Sequence, residues 1–212
     1  MHWWWELCWL REREPQGRTR SPSRTGSSPT ANTYASCVDT NGGYVPNVSS
    51  YCKADNSTQT VYIAGLGPRM KQWTQQTLDF SWGTLDLTIV YHSTPVLSGS
   101  AETDTVYAIL ENDPTFELGT LGRAWCEDKD GITTRCDQHY VEYNGTLLAG
   151  RSDIELWQIA CHETGHTFGL THGSDASPSV SDQHADFRCM KTEPVNDHLV
   201  GPENSAVINA NY

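Results

Sequence analysis

The amino-acid sequence predicts an α+β domain. Five short segments are predicted to be β-strands; the first is β-branched and aromatic and ends at glycine, and the second alternates apolar with polar residues. Three other segments have apolar residues at helical spacing or carry helix-capping signals. These segments follow one another within one acidic stretch that is long enough to bury a sizeable core, so we expect one folded domain.

The chain of 212 residues divides into an N-terminal segment and this domain. Residues 1–10, MHWWWELCWL, are apolar but contain Glu6, and they lack the longer apolar run and the cleavage site of a secretory signal. Residues 11–33 are rich in Arg, Ser, Thr, Pro and Gly, which predicts a disordered linker. We therefore interpret residues 1–33 as a disordered or leader-like segment and residues 34–212 as a single domain.

The charge of the chain excludes some classes of partner. The formal net charge is −12 at pH 7, and an acidic protein is repelled by nucleic acids and by anionic membranes. No apolar run is long enough to span a bilayer. We therefore expect no nucleic-acid partner and no membrane span, and we expect the domain to be a monomer.

The first half of the domain should contain three strands and one helix. The run at 60–65 is β-branched and aromatic and ends at glycine, which predicts the first strand. A Gly-Pro pair then opens the stretch 67–80, whose apolar residues recur at helical spacing and predict a helix packed behind the sheet. Alternating apolar and polar residues at 85–92 predict a half-buried strand, and 104–110 predicts a third strand.

The second half should contain two strands and two helices. Strands are predicted at 121–126 and 138–144. Ser152, followed three residues later by Glu155, is a capping box that fixes the start of a long helix. The apolar residues within 201–212 predict a closing helix.

The cysteines predict disulfide bonds and a secreted protein. Six of the seven lie in the predicted domain, and none has the CxxC spacing of a cysteine-rich zinc module. An even number of cysteines in an acidic domain suggests an oxidising compartment. Several pairings are possible, and chain order favours three of them, Cys37 with Cys52, Cys126 with Cys136, and Cys161 with Cys189.

One stretch in the long helix and the turn after it carries the chemistry. His162 and His166 are four residues apart, so on a helix their Cβ atoms would lie roughly 5–6 Å apart on one face and could hold one metal ion. Glu163 lies beside the first histidine, where it could reach a metal-bound water. Gly169 permits φ > 0, which would end the helix and bring His172 to the metal. Three imidazoles leave one position of a tetrahedral site open, as in catalytic zinc sites.

An ordinary helix with solvated histidines is the alternative interpretation of this stretch. The HExxH pattern alone is moderately specific, because histidine and glutamate both occur in amphipathic helices. The glycine and the third histidine at the two further positions make coincidence a poor explanation, since the chain has 17 glycines and 8 histidines in 212 residues. His184 lies beyond the motif, and we interpret it as a surface histidine because His172 has the motif spacing.

The run from His162 to His172 resembles the HExxHxxGxxH signature of the metzincin zinc endopeptidases. The pair Cys189-Met190 resembles the Met-turn of that family, a tight turn whose methionine lies beneath the three histidines. The resemblance implies that the three histidines bind Zn²⁺, that Glu163 is the general base, and that Met190 is the hydrophobic floor of the site.

The resemblance also implies a fold. A metzincin-like domain has a twisted, mostly parallel five-stranded sheet with an antiparallel edge strand, a backing helix, an active-site helix and a C-terminal helix, and the segment order over 60–212 agrees with it. Segment 121–126 would be the edge strand to which a substrate peptide adds by backbone hydrogen bonds. We expect the polar, turn-rich residues 173–188 to form the wall of the specificity pocket. Gly173 stands where several metzincin families carry a diagnostic residue, and Thr192 stands where some have a tyrosine, so no subfamily is assigned and a catalytic role for a Met-turn tyrosine is not supported.

These observations predict a secreted zinc-dependent endopeptidase that cleaves extracellular proteins or peptides, with water activated by Glu163. One alternative is a catalytically inactive zinc-containing binding module of the same fold, against which the presence of Glu163 argues. Another is a structural protein stapled by disulfides. A different divalent ion in the site also stays open. Cys8 is the seventh cysteine, and we interpret it as an unpaired thiol. A role as a ligand that caps the metal is supported only by its position in the N-terminal segment.

Overall fold

The computed structural model describes residues 52–99, 101–129, 135–193 and 196–212. Predictions about the N-terminal segment 1–33, Cys8 and Cys37 lie outside the described residues.

A five-stranded sheet forms the centre of the described structure. Its strands are β1 (Thr58–Tyr62), β2 (Thr88–Tyr91), β3 (Thr105–Leu110), β4 (Gly122–Lys129) and β5 (Cys136–Asn144). Their spatial order is β2-β1-β3-β5-β4, with parallel pairing from β2 through β5 and antiparallel pairing of β4 with β5 at the edge. The prediction of an α+β fold with a mostly parallel five-stranded sheet and an antiparallel edge strand is confirmed.

Helices precede and follow the strands. They are α1 (Pro68–Gln76) with a π-helical continuation (Thr77–Trp82), α2 (Gly145–Leu148), α3 (Asp153–Thr167) and α4 (Pro202–Asn211), together with 3₁₀ turns at Gly173–Asp175 and Ala185–Met190. The short helix α2 was not predicted from the sequence. It begins where the side-chain oxygen of Asn144 accepts a hydrogen bond from the backbone N–H of Leu147. Among the described residues, no helix is both long and apolar enough to cross a membrane.

The predicted half-buried strand at 85–92 is shorter and more exposed than expected. Pairing with β1 begins at Thr88, and most of β2 is exposed because it lies at one edge of the sheet. Leu87 is buried among the helices just before the strand begins. The apolar residues that alternate at 85–92 therefore contact two different parts of the domain, and one of these parts lies outside the sheet.

Two hydrophobic clusters lie on either side of helix α3. The first joins the sheet to α1 and to the first turns of α3, where Leu156, Ile159 and Ala160 are buried. The second lies beneath the second half of α3 and contains Trp82, Cys161, Phe168, Leu170, Phe187, Cys189, Met190 and Ile208. Because α3 contributes to both clusters, most residues of its second half are buried.

Two of the three predicted disulfides are formed by described residues. Cys126 and Cys136 join β4 to β5 with an S–S distance of 2.08 Å. Cys161 and Cys189 join α3 to the 3₁₀ turn before Met190 with an S–S distance of 2.05 Å. The pairing of these four cysteines agrees with the order predicted from the sequence. The predicted partner of Cys52 is Cys37, which lies outside the described residues.

Candidate metal centre

A capping box sets the start of helix α3, as the sequence predicts. The hydroxyl of Ser152 accepts a hydrogen bond from the backbone N–H of Glu155, and the Glu155 carboxylate accepts one from the backbone N–H of Ser152 at 2.8 Å. Arg151 also donates to this carboxylate at 3.0 Å. These contacts, first of all the backbone N–H of Ser152, lower the pKa of Glu155 to about 2.

Replacing Glu155 by glutamine should therefore give a pH-dependent loss of stability. A lowered folded-state pKa means that the ionised carboxylate stabilises the fold above its ordinary pKa of 4.5, and that this stabilisation is lost as the pH falls toward 2. We expect Glu155→Gln to lower the free energy of unfolding by about 1 kcal/mol near pH 7. Urea denaturation at several pH values should show the difference from wild type shrinking below pH 4.5. Glu117→Gln, at an exposed position, is the control, and a difference that does not change with pH would contradict the assignment.

The three histidines of the motif converge on one point. The Nε2 atoms of His162 and His166 are 3.1 Å apart, and those of His162 and His172 are also 3.1 Å apart. The ligand atoms of all three lie within 4.8 Å of one another, an arrangement that could hold a metal ion. Tetrahedral zinc with Zn–N bonds of about 2.0–2.1 Å would place nitrogens about 3.4 Å apart, so the spacing fits such an ion.

Backbone carbonyl groups orient two of these rings. The Nδ1 atom of His162 lies 3.0 Å from the carbonyl oxygen of Cys189, and the Nδ1 atom of His166 lies 2.8 Å from that of Leu170. An Nδ1–H that donates to a carbonyl leaves the Nε2 lone pair free to bind a metal. Both carbonyl acceptors belong to segments that follow α3, so the end of the helix and the turn before Met190 are part of the site.

The surroundings keep the rings neutral. Burial lowers the pKa of His162 to about 3, and repulsion from His172 acts in the same direction. Burial also lowers the pKa of His166 well below its ordinary value. For His172, burial lowers the pKa, while nearby aspartates oppose the shift. Neutral imidazole is the form that binds metal ions, so the three rings are ready to act as ligands near pH 7.

Gly169 makes the turn that brings the third histidine to the site. Its φ is +81°, in the left-handed region that was predicted. A Cβ at this position would lie 2.9 Å from Cγ and 3.0 Å from the backbone nitrogen of Lys53, so the chain also passes too closely for a side chain. Glycine is therefore required both by the conformation and by the packing.

Met190 packs against helix α3 at Gly165, which lies between His162 and His166. Its side chain is fully buried, and a Cβ built on Gly165 would lie 2.2 Å from the Met190 sulfur. The chain reaches this position through Arg188, whose φ is +51°. The absence of a side chain at Gly165 thus lets the methionine pack against the turn of α3 between His162 and His166, while its role as the hydrophobic floor of the site stays a prediction.

A side chain at Gly165 should disturb this floor. We expect Gly165→Ala to lower the free energy of unfolding by roughly 1–3 kcal/mol, as overpacking of a core does, and to weaken metal binding because the displaced turn carries the Cys189 carbonyl. Urea denaturation and zinc titration would measure both effects. Gly150→Ala is the matched control, since a Cβ there meets nothing within 4 Å. Equal stability and zinc affinity in the two variants would contradict this role of Gly165.

Glu163 lies beside the convergence point, in the same cleft as His162 and His172. The residue is 6% exposed, and burial raises the pKa of its carboxyl group to about 8. The carboxyl group is not part of the three-histidine cluster. The structure therefore places an acidic side chain next to three potential metal ligands, at the wall of an open cleft.

The cleft has a volume of about 440 Å³. Residues 119–122 at the start of the edge strand line one side, residues 191–193 line the other, and Gln158 and Ile159 lie between them. Gln158 supports the second wall, because its side chain donates to the Glu193 carbonyl at 3.1 Å and accepts from the Asp197 N–H at 3.2 Å. None of the residues that line this cleft lies within 173–188, so the role of that segment as the wall of the specificity pocket stays a prediction.

His184 lies outside the three-histidine cluster. Its side chain is 41% exposed, and its Nδ1 atom lies 3.8 Å from the Oδ2 atom of Asp186. This position agrees with its interpretation as a surface histidine.

A second group of acidic side chains was missed by sequence reasoning. Asp55, Asp104 and Asp137 are far apart in the chain, but their carboxylates lie within 4.8 Å of one another. The Asp104 carboxylate accepts hydrogen bonds from the backbone N–H and the hydroxyl of Thr60. Its pKa is raised, with burial as the main cause. Strand pairing brings these residues together, and no local sequence signal identifies them.

No protein-family model matches this chain, and no curated protein matches it. The case for a function therefore depends on the motif and on the geometry of the three-histidine site.

Proposed function

We propose that this protein is a zinc-dependent endopeptidase of the metzincin type. The observation that carries the proposal is the convergence of three neutral imidazoles beside a buried glutamate, in a cleft bordered by the edge strand. The histidine spacing and the carbonyl acceptors at Nδ1 fit zinc. Met190, which packs against Gly165 between the two helical histidines, adds support from a feature of the resemblance that the HExxH pattern alone does not contain.

Zinc bound by His162, His166 and His172 would supply a Lewis acid that activates water and polarises the scissile carbonyl group. The chain itself supplies the proton transfer. Glu163 faces the cleft beside His162. A cation held by the three histidines would favour the ionised form of this buried carboxyl group, and the carboxylate could then take a proton from the attacking water and deliver it to the leaving amine. Burial of this carboxylate excludes bulk water from one side of it, so the proton is passed between the reacting groups.

The edge strand supports an extended substrate. Among the described strands, β4 lies at the edge of the sheet and pairs with β5 alone, and its first residue, Gly122, lines the cleft. A peptide that adds to this edge forms backbone hydrogen bonds that do not depend on its sequence. Residues 191–193 on the opposite side would confine the side chains that follow the scissile bond. We therefore propose unfolded or extended segments of extracellular proteins as the substrate class.

A catalytically inactive zinc-binding module is the alternative. The orientation of Glu163 toward the same cleft as His162 and His172 favours the enzyme, because a module that only holds zinc has no use for a buried carboxylate there. The disulfides are compatible with an oxidising, extracellular location.

Cleavage of an unstructured protein tests the proposal. We expect purified protein to cleave casein, to lose this activity with a zinc chelator, and to regain it when zinc is restored. Cleavage that a chelator leaves unchanged would contradict a metal-dependent mechanism. Zinc-loaded protein that cleaves neither casein nor a panel of extended peptides would favour the binding module.

A further inference from the structure

The start of the edge strand lies directly against the carboxylate of Glu163. A Cβ atom built on Gly122 would be 2.8 Å from both Cγ and Oε1 of Glu163, and 3.0 Å from Cδ. Ordinary contacts of a Cβ atom begin at about 3.4 Å. A residue other than glycine therefore cannot occupy position 122 while Glu163 keeps its present position.

Strand β4 is held firmly at this point. The backbone N–H of Asn144 donates to the carbonyl of Leu121 at 2.9 Å, and its side-chain amide donates to the carbonyl of Thr120 at 3.1 Å. Gly122 itself pairs with Tyr143, whose side chain is fully buried in the core beneath the sheet. Moving the strand away from the helix would break these contacts.

The carboxylate is held far less firmly. Within the part of the chain that the structure describes, the Glu163 side chain forms no hydrogen bond and no ion pair. Its position is set by packing, and it is the end of a flexible side chain. A methyl group at position 122 would therefore be accommodated by movement of the Glu163 carboxylate, at little cost in folding free energy.

We propose that Gly122 is a positioning residue for Glu163. Because position 122 has no side chain, the backbone of the edge strand determines where the Glu163 carboxylate lies relative to the three histidines. This inference rests on the proposed function, in which that carboxylate is the general base. A side chain at position 122 would push the carboxylate away by more than half an ångström, since 2.8 Å must become at least 3.4 Å.

The kinetic test compares Gly122→Ala with Gly67→Ala. Gly67 precedes α1 with φ −60°, and a Cβ there meets nothing within 4 Å, so it controls for the glycine-to-alanine change itself. With both variants zinc-loaded, we expect Gly122→Ala to lower kcat by roughly 10- to 100-fold, as misplacement of a reacting group by about 1 Å does. KM and zinc content should stay near wild type, because neither the ligands nor the rest of the cleft is altered. A kcat equal to that of Gly67→Ala would overturn the proposal.

The structural test does not depend on activity. Crystal structures of the two zinc-loaded variants should show the Glu163 carboxylate displaced in Gly122→Ala and in place in Gly67→Ala. A displaced carboxylate in a protein whose wild type cleaves nothing would support the positioning role while the proposed peptidase function fails. A carboxylate at the wild-type position in Gly122→Ala would overturn the positioning role whatever the activity.

Discussion

Glu163→Gln should bind zinc as wild type does and lose peptide hydrolysis. Glutamine has nearly the same shape, so it should fit between the helix and Gly122, but its amide cannot accept a proton from water. General acid–base catalysis contributes about 10²- to 10⁴-fold to rate, so kcat for casein or peptide cleavage should fall by that factor. Zinc content should not change, because the three ligand atoms belong to His162, His166 and His172.

Two measurements on the same preparations separate the possible outcomes. Elemental analysis gives the zinc content of each protein, and an unfolding curve shows whether the variant is intact. Full zinc-dependent activity in Glu163→Gln would show that another group is the base. Loss of zinc together with activity would show instead that the carboxylate belongs to the metal site.

His166→Ala should abolish metal binding and the stability that metal confers. His166 is the most buried of the three proposed ligands, at 3% exposed, and its Nε2 atom lies 3.1 Å from that of His162. Changes to groups that only orient a ligand weaken metal affinity by about 10- to 100-fold, and removal of a ligand should cost more. At zinc concentrations about 1,000-fold above the wild-type Kd, zinc should stabilise wild type by about 4 kcal/mol and His166→Ala hardly at all.

His184→Ala is the matched control, because it removes a histidine that lies outside the cluster. Unfolding curves with and without zinc would measure the increment for each protein. Without zinc, His166→Ala should itself be less stable than wild type, since the bond from its ring to the Leu170 carbonyl is lost. An equal zinc-dependent increment in His166→Ala and His184→Ala would show that zinc is bound elsewhere.

The convergence of the three histidines could be predicted because it depends on local geometry. Four-residue spacing on a helix and a glycine turn are enough to bring His162, His166 and His172 together, and the turn has the positive φ that was expected. The capping box at Ser152 is equally local. The strands were located from similarly local signals, although the bounds of β2 were wrong because Leu87 is buried among the helices and not in the sheet.

The supporting contacts could not be predicted because they join distant parts of the chain. Nothing in the sequence indicates that the carbonyl group of Cys189 faces His162, or that the backbone at Gly122 lies against Glu163. These contacts depend on how the sheet, α3 and the final turn pack together. The place of residues 191–193 at the cleft has the same origin, since nothing in this short polar segment distinguishes it from its neighbours and packing alone brings it there.

The most direct test of the account is a crystal structure of the purified protein with anomalous scattering measured at the zinc absorption edge. We expect one zinc ion, bonded at about 2.0–2.1 Å to the Nε2 atoms of His162, His166 and His172, with Glu163 in the cleft but outside the coordination sphere. A zinc-loaded crystal with no ion at the three histidines, or with an ion coordinated directly by Glu163, would contradict the assignment of ligands and base.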